Sequence, residues 1–346
     1  MHEPMLALID SLRGVVHPSL DSYFFSNSGA EAIEGALKLA RAATGRPNVI
    51  FFQGSFHGRT VGTMSLTTSK TVYRAGYQPL MPGVFVAPFP YVYRYGWDPK
   101  TTVAWCLDEL RFLLQTQTAP EETAAMLIEP ILGEGGYVVP PPGFLEGVRA
   151  LCDEHGILLI VDEIQSGMGR TGRWWGYEHF GIVPDILTLA KGIASGLPLS
   201  GVIARRELME HWKAGKHGGT FGGNVVACAA GVATIAAIQE EHLLENARAR
   251  GLQLMTGLGH LQEEQPRIGD VRGLGLMVGA EFTASDGKPD KAAAKQVVHA
   301  CLDQGLMLLT CGPWDNTIRV IPPLTVSEAE VKEGLGIFAS AVRKLS

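Results

Sequence analysis

The chain has 346 residues, 46% apolar and 18% charged, which suits one large and one smaller packed core and excludes a disordered chain. A net charge of −6 with no basic block argues against nucleic acid and anionic membrane as partners. No signal peptide opens the chain and no run of about 18 apolar residues crosses it, so a cytoplasmic protein is expected. The five cysteines (Cys106, Cys152, Cys228, Cys301 and Cys311) are scattered and form no C-x-x-C pair, so neither a disulfide framework nor a metal site is expected.

Residues 1–19 read as a remnant segment. Met5, Leu6, Leu8, Ile9 and Leu12 have helical spacing, and Gly14 and Pro18 end it. A short aromatic strand at Tyr23 then leads through Ser28, Gly29 and Ala30 into a helix over about 30–43. Free N–H groups behind such a turn suit an anion such as phosphate, although a plain Ser-capped helix reads the same way. The strand Asn48–Phe52 ends in Gly54-Ser55-Phe56-His57-Gly58-Arg59. The carboxyl end of a strand in an open α/β sheet is where ligands bind. There Phe56 suits a planar ring and Arg59 a carboxylate. The proline- and tyrosine-rich residues 76–99 read as a long surface loop, followed by a helix over about 102–115.

Two later apolar runs end on charged residues. Ile157–Val161 ends on Asp162, and Ile186–Ala190 ends on Lys191, twenty-nine residues further on. A lysine at a buried strand end is costly unless it is paired or its pKa falls. A neutral amine is the nucleophile with which Schiff-base enzymes hold pyridoxal phosphate, and a buried aspartate is the partner its pyridinium nitrogen needs. Between them, Gly167–Gly172 matches G-x-G-x-x-G but runs into Arg173-Trp174-Trp175 rather than an apolar helix, so a dinucleotide site is disfavoured. Glu129 and Glu134 flank a glycine-containing turn. Gly218–Asn224 is a second small-residue turn, and a helix over about 243–262 leads out of a large domain spanning 20–262. From about Ile268, short strands alternate with helices, giving a small α+β domain over 263–346 with Arg319 inside its last strand.

With these segments in order, the sequence resembles the class III (ω-type) aminotransferases. The resemblance implies a type I PLP-dependent transferase fold: an α/β, mostly parallel large domain with a smaller C-terminal α+β domain. It rests on Gly54–Thr60, Glu129–Gly136, Asp162–Gly172 and Leu189–Ile193, and covers nearly the whole chain. It implies that Lys191 carries pyridoxal 5′-phosphate and moves the proton. Asp162 would hold the pyridinium, Gln165 the phenolic oxygen, Ile164 and Phe56 the two ring faces, and Ser28, Gly29 and Ala30 the phosphate. His57 and Glu129 would complete the cofactor site, and Thr220 would reach the neighbouring subunit's phosphate in a homodimer. Arg59 and Arg319 would bind substrate carboxylates, with Glu134 gating Arg319. The implied partners are an ω-amino acid donor, best 4-aminobutyrate, and a 2-oxo acid acceptor such as 2-oxoglutarate. A racemase, an acetylornithine- or ornithine-type aminotransferase, and a weakly active PLP-binding form stay open. The family usually carries several dozen more residues ahead of the segment at Ser26, so a chain shortened at its N-terminus is expected.

Overall fold

A computed structural model describes residues 2–345, so the outer bounds Met1 and Ser346 of the expected division lie outside the described residues. The apolar runs build a seven-stranded sheet from β1 (Ser22–Ser26), β2 (Asn48–Phe52), β3 (Val84–Ala87), β4 (Thr123–Ile128), β5 (Leu158–Asp162), β6 (Ile186–Leu189) and β7 (Ser200–Ala204). Their order is β1-β7-β6-β5-β4-β2-β3. Neighbours are parallel from β3 through β6, and β7 is antiparallel to both β6 and β1. Every residue of β4, β5, β6 and β7 is buried. That explains their continuous apolar runs, since helices cover both faces.

The segment read as a loop over 76–99 contains β3 and a short helix, Val92–Tyr95. Its prolines and glycines punctuate both sides of a four-residue strand, too short to stand out by alternation. The N-terminal segment is more than a tail. Its helix Glu3–Arg13 buries Leu8 and Leu12 completely within the main core.

A second sheet, ordered β10-β11-β9-β8 and antiparallel throughout, is formed by β8 (Ile268–Leu274), β9 (Met277–Phe282), β10 (Leu309–Cys311) and β11 (Thr317–Val320). Helix Leu243–Glu264 places Ala247, Leu254, Leu258 and Leu261 in the core of this sheet. It belongs to the small unit by packing, so we propose a division just ahead of it, rather than after residue 262.

Candidate active site

Because β1, β2, β4, β5 and β6 all run the same way, their carboxyl ends meet at one edge of the sheet. A cavity of about 390 Å³ opens there. Its walls include Gly29 and Ala30 after β1, Phe56 and His57 after β2, Glu129 and Glu134 after β4, Asp162, Ile164 and Gln165 at the end of β5, and Lys191 after β6.

Asp162 is 3% exposed. Its Oδ2 lies 2.7 Å from Nδ1 of buried His57, and its Oδ1 accepts from the Ile164 N–H at 3.0 Å. Facing a carboxylate, Nδ1 carries the ring proton and donates, which orients the aspartate and leaves lone pairs for a further donor. Nε2 of His57 is buried without a partner. Glu129 accepts from the N–H groups of Phe56 and Gly133, each at 2.8 Å, and so ties the loop after β2 to the loop after β4. Burial pushes its pKa up to about 7, a trend that the nearby His57 opposes and Asp162 reinforces.

Lys191 follows β6 with φ +45°, so the chain turns sharply at the strand end. Solvent reaches its side chain through the open cavity, yet protein atoms surround most of it. That crowding presses the amine's pKa below the usual lysine range, against the pull of Asp162, Glu129 and Glu134.

Gly29 and Ala30 are the first residues of helix Gly29–Thr44, so their N–H groups have no acceptor within the helix. The N–H groups of Asn27 and Ser28 are already taken by Glu31, at 3.0 and 2.7 Å. A Cβ on Gly29 would come within 2.9 Å of Ile164, so only glycine leaves this cradle open. Gln165 stands beside Gly133, with its amide oxygen buried and unpartnered.

Glu134 forms an ion pair with Arg319 of β11, bridging the cavity wall and the small sheet. Arg59 does not line the cavity. It is exposed, with its guanidinium 4.8 Å from the Tyr73 ring centre and 5.9 Å from that of Phe56. Thr220 is exposed and also stands apart from the cavity. Sequence reasoning left out Asn27 and Gly196 to Leu199, which form part of the wall. The lone signal for the latter was a Ser-Gly-Leu-Pro turn just past Lys191, where Ser195 and Gly196 both have positive φ. His57 enters only through the family resemblance, and its pairing with Asp162 was not legible, because nothing local in the chain pairs two residues 105 positions apart.

A cradle of free N–H groups, an aspartate oriented by two hydrogen bonds, apolar walls at Phe56 and Ile164, an unpartnered amide and a suppressed lysine together fit a phosphorylated aromatic aldehyde. The sequence matches the class-III aminotransferase family over residues 1–342. It is 44% identical over 315 residues to the 4-aminobutyrate aminotransferase of Escherichia coli K12, covering 90% of this chain and 72% of that one. To the 5-aminovalerate aminotransferase of Pseudomonas putida it is 40% identical over 347 residues, covering 100% and 80%. Among solved structures, taurine:2-oxoglutarate aminotransferase from Bifidobacterium kashiwanohense, in complex with PLP and glutamate, superimposes with a TM-score of 0.94 at 29% identity. The match spans 99% of this chain and 80% of that one.

Proposed function

As the chain belongs to the class-III aminotransferases, whose cofactor is pyridoxal 5′-phosphate, we propose that it moves the amino group of 4-aminobutyrate to 2-oxoglutarate. 5-Aminovalerate, one methylene longer, is the second donor to try, because relatives that use it are nearly as similar. The Glu134–Arg319 ion pair carries the reading. A donor with one carboxylate leaves an apolar stretch near the reacting carbon, where a bare arginine is costly. An acceptor with two carboxylates needs that arginine free. A releasable Glu–Arg pair serves both, and an enzyme that only inverted amino acids would not require it.

Bound PLP supplies the electron sink for the pair left on carbon when a proton departs. The chain's own residues do the rest. Gly29 and Ala30 hold the phosphate on their N–H groups. Asp162, oriented by His57, would hold the ring nitrogen's proton. Ile164 and Phe56 would meet the ring, Gln165 would bond its phenolic oxygen, and Glu129 braces the two loops. Lys191 would carry the cofactor and move the proton as a base, and its lowered pKa favours the neutral amine that this role needs. Arg319 takes the acceptor's carboxylate, in turn with Glu134, and Arg59 would have to leave its place over Tyr73, outside the cavity, to take the donor's. Thr220 completes the neighbouring subunit's phosphate site in a homodimer.

The test is spectroscopic. Purified protein loaded with PLP should show the visible absorbance of a Schiff base, and 4-aminobutyrate alone should bleach it to the pyridoxamine form. 2-Oxoglutarate should then restore it and release glutamate. Lys191→Ala should lose the lysine-linked band and the turnover. A wild-type band indifferent to both 4-aminobutyrate and 5-aminovalerate would defeat the donor assignment.

A further inference from the structure

The loop that carries Glu134 is held by a second arginine of the small sheet, Arg272. Its Nε and Nη2 both donate to the Gly136 carbonyl, at 3.0 and 2.6 Å, and Nη2 also donates to the Tyr91 hydroxyl at 2.8 Å. Its charge is met by Asp270 at 2.6 Å and buried Glu281 at 2.7 Å. Tyr91 donates in turn to Glu281, and Asn316 donates to the other Glu281 oxygen at 3.1 Å. The fork of Arg272 is thereby locked from several sides and aimed at one carbonyl.

The register explains how this meets the ion pair. Gly279 of β9 lies opposite Arg272 of β8 on one side and opposite Arg319 of β11 on the other. Directly opposed residues share a face, so the two arginines stand on one face, flanking a position without a side chain. The Gly136–Tyr137 backbone fills that gap: a Cβ on Gly279 would lie 3.2 Å from Tyr137 Cβ and 3.5 Å from the Gly136 carbonyl oxygen. The Gly312 N–H donates to the Glu134 carbonyl at 2.9 Å. The small domain therefore grips one short segment at three points: the Glu134 side chain through Arg319, the Glu134 carbonyl through the Gly312 N–H, and the Gly136 carbonyl through Arg272.

We propose that Arg272 is a positioning residue that fixes the Glu134 backbone, so that only the side chain moves when Arg319 is released, and that it thereby sets the discrimination between one-carboxylate donors and two-carboxylate acceptors. This rests on the gate reading above. Loosening the anchor weakens the closed ion pair and leaves Arg319 more often bare, which penalises the donor and spares or helps the acceptor.

The experiment uses the PLP-loaded enzyme and Arg272→Lys, which keeps the charge beside Glu281 and loses the fork. Gly279→Ala is the second variant, since it displaces the same backbone without touching any charge. Single-turnover absorbance changes give each half-reaction separately. The expected result is an apparent Kd for 4-aminobutyrate raised about tenfold, with that for 2-oxoglutarate unchanged or lowered. Amide exchange over 133–137 should quicken, with the Schiff-base spectrum retained. Equal losses in both half-reactions, or unchanged constants in variants that fold and hold PLP, would overturn the proposal. So would unchanged exchange over 133–137, a readout that needs no substrate. A wild type inert to ω-amino acids would defeat the functional reading while leaving the exchange result to judge the anchor.

Discussion

At the scale of single residues, Asp162 works by its charge rather than its shape. Both its oxygens are already fixed, by His57 and by the Ile164 N–H. Asp162→Asn keeps the size and loses the negative charge that holds a pyridinium proton. PLP should still bind, and the half-reaction with donor should slow by about 10²- to 10⁴-fold, measured by single-turnover absorbance. Its neighbour Glu163 answers to pH. It is buried and accepts from Ser166 Oγ at 2.6 Å and from the Tyr177 N–H at 2.8 Å, and burial raises its pKa to about 7. The folded state thus binds a proton that the unfolded chain has released, so stability is full below the unfolded pKa and is lost as pH rises towards 7. The slope is worth at most about 3 kcal/mol. Glu163→Gln should flatten the fall in Tm between about pH 4.5 and 7; a Tm profile parallel to wild type would refute this.

At the scale of elements, the strands that end on chemistry were legible because an apolar run halting on Asp162 or Lys191 breaks a simple rule of burial. Strand β8 escaped notice because six of its seven residues are only half-buried and its pattern neither alternates nor runs apolar. Arg272 escaped with it, and Glu281 was hidden inside the apolar run of β9. The helix Leu243–Glu264 shows how packing overrides sequence proximity. Gly251 lies so close to the β8–β9 turn that an added Cβ would meet the Gly275 carbonyl oxygen at 2.2 Å. Gly251→Ala must push the helix off the turn. It should cost about 1–3 kcal/mol, read as a Tm drop of several degrees.

At the scale of the whole molecule, Phe221, Val225 and Val226 are exposed apolar side chains beside the Thr220 turn. Such a cluster suits burial against a second copy, which fits the proposed homodimer. Sedimentation should give twice the chain mass, and Phe221→Glu should shift it to monomer with loss of PLP affinity. A monomeric wild type would remove Thr220 from the site. Most of the fold was legible, because the motifs follow strand ends in a fixed order. The pairings across the sheet were not, since nothing local says that β1 lies beside β7.

That pairing has a consequence for how the molecule is made. Ser26 of β1 sits opposite Ser200 of β7, so the phosphate cradle just after β1 takes its place only when a strand more than 170 residues downstream has arrived. The remaining walls come from four more loops between those two strands. Such distant contacts close late and slowly. A nascent chain therefore has no cofactor site until most of it has left the ribosome, and capture of the vitamin-derived ligand marks the completion of folding instead of guiding its start.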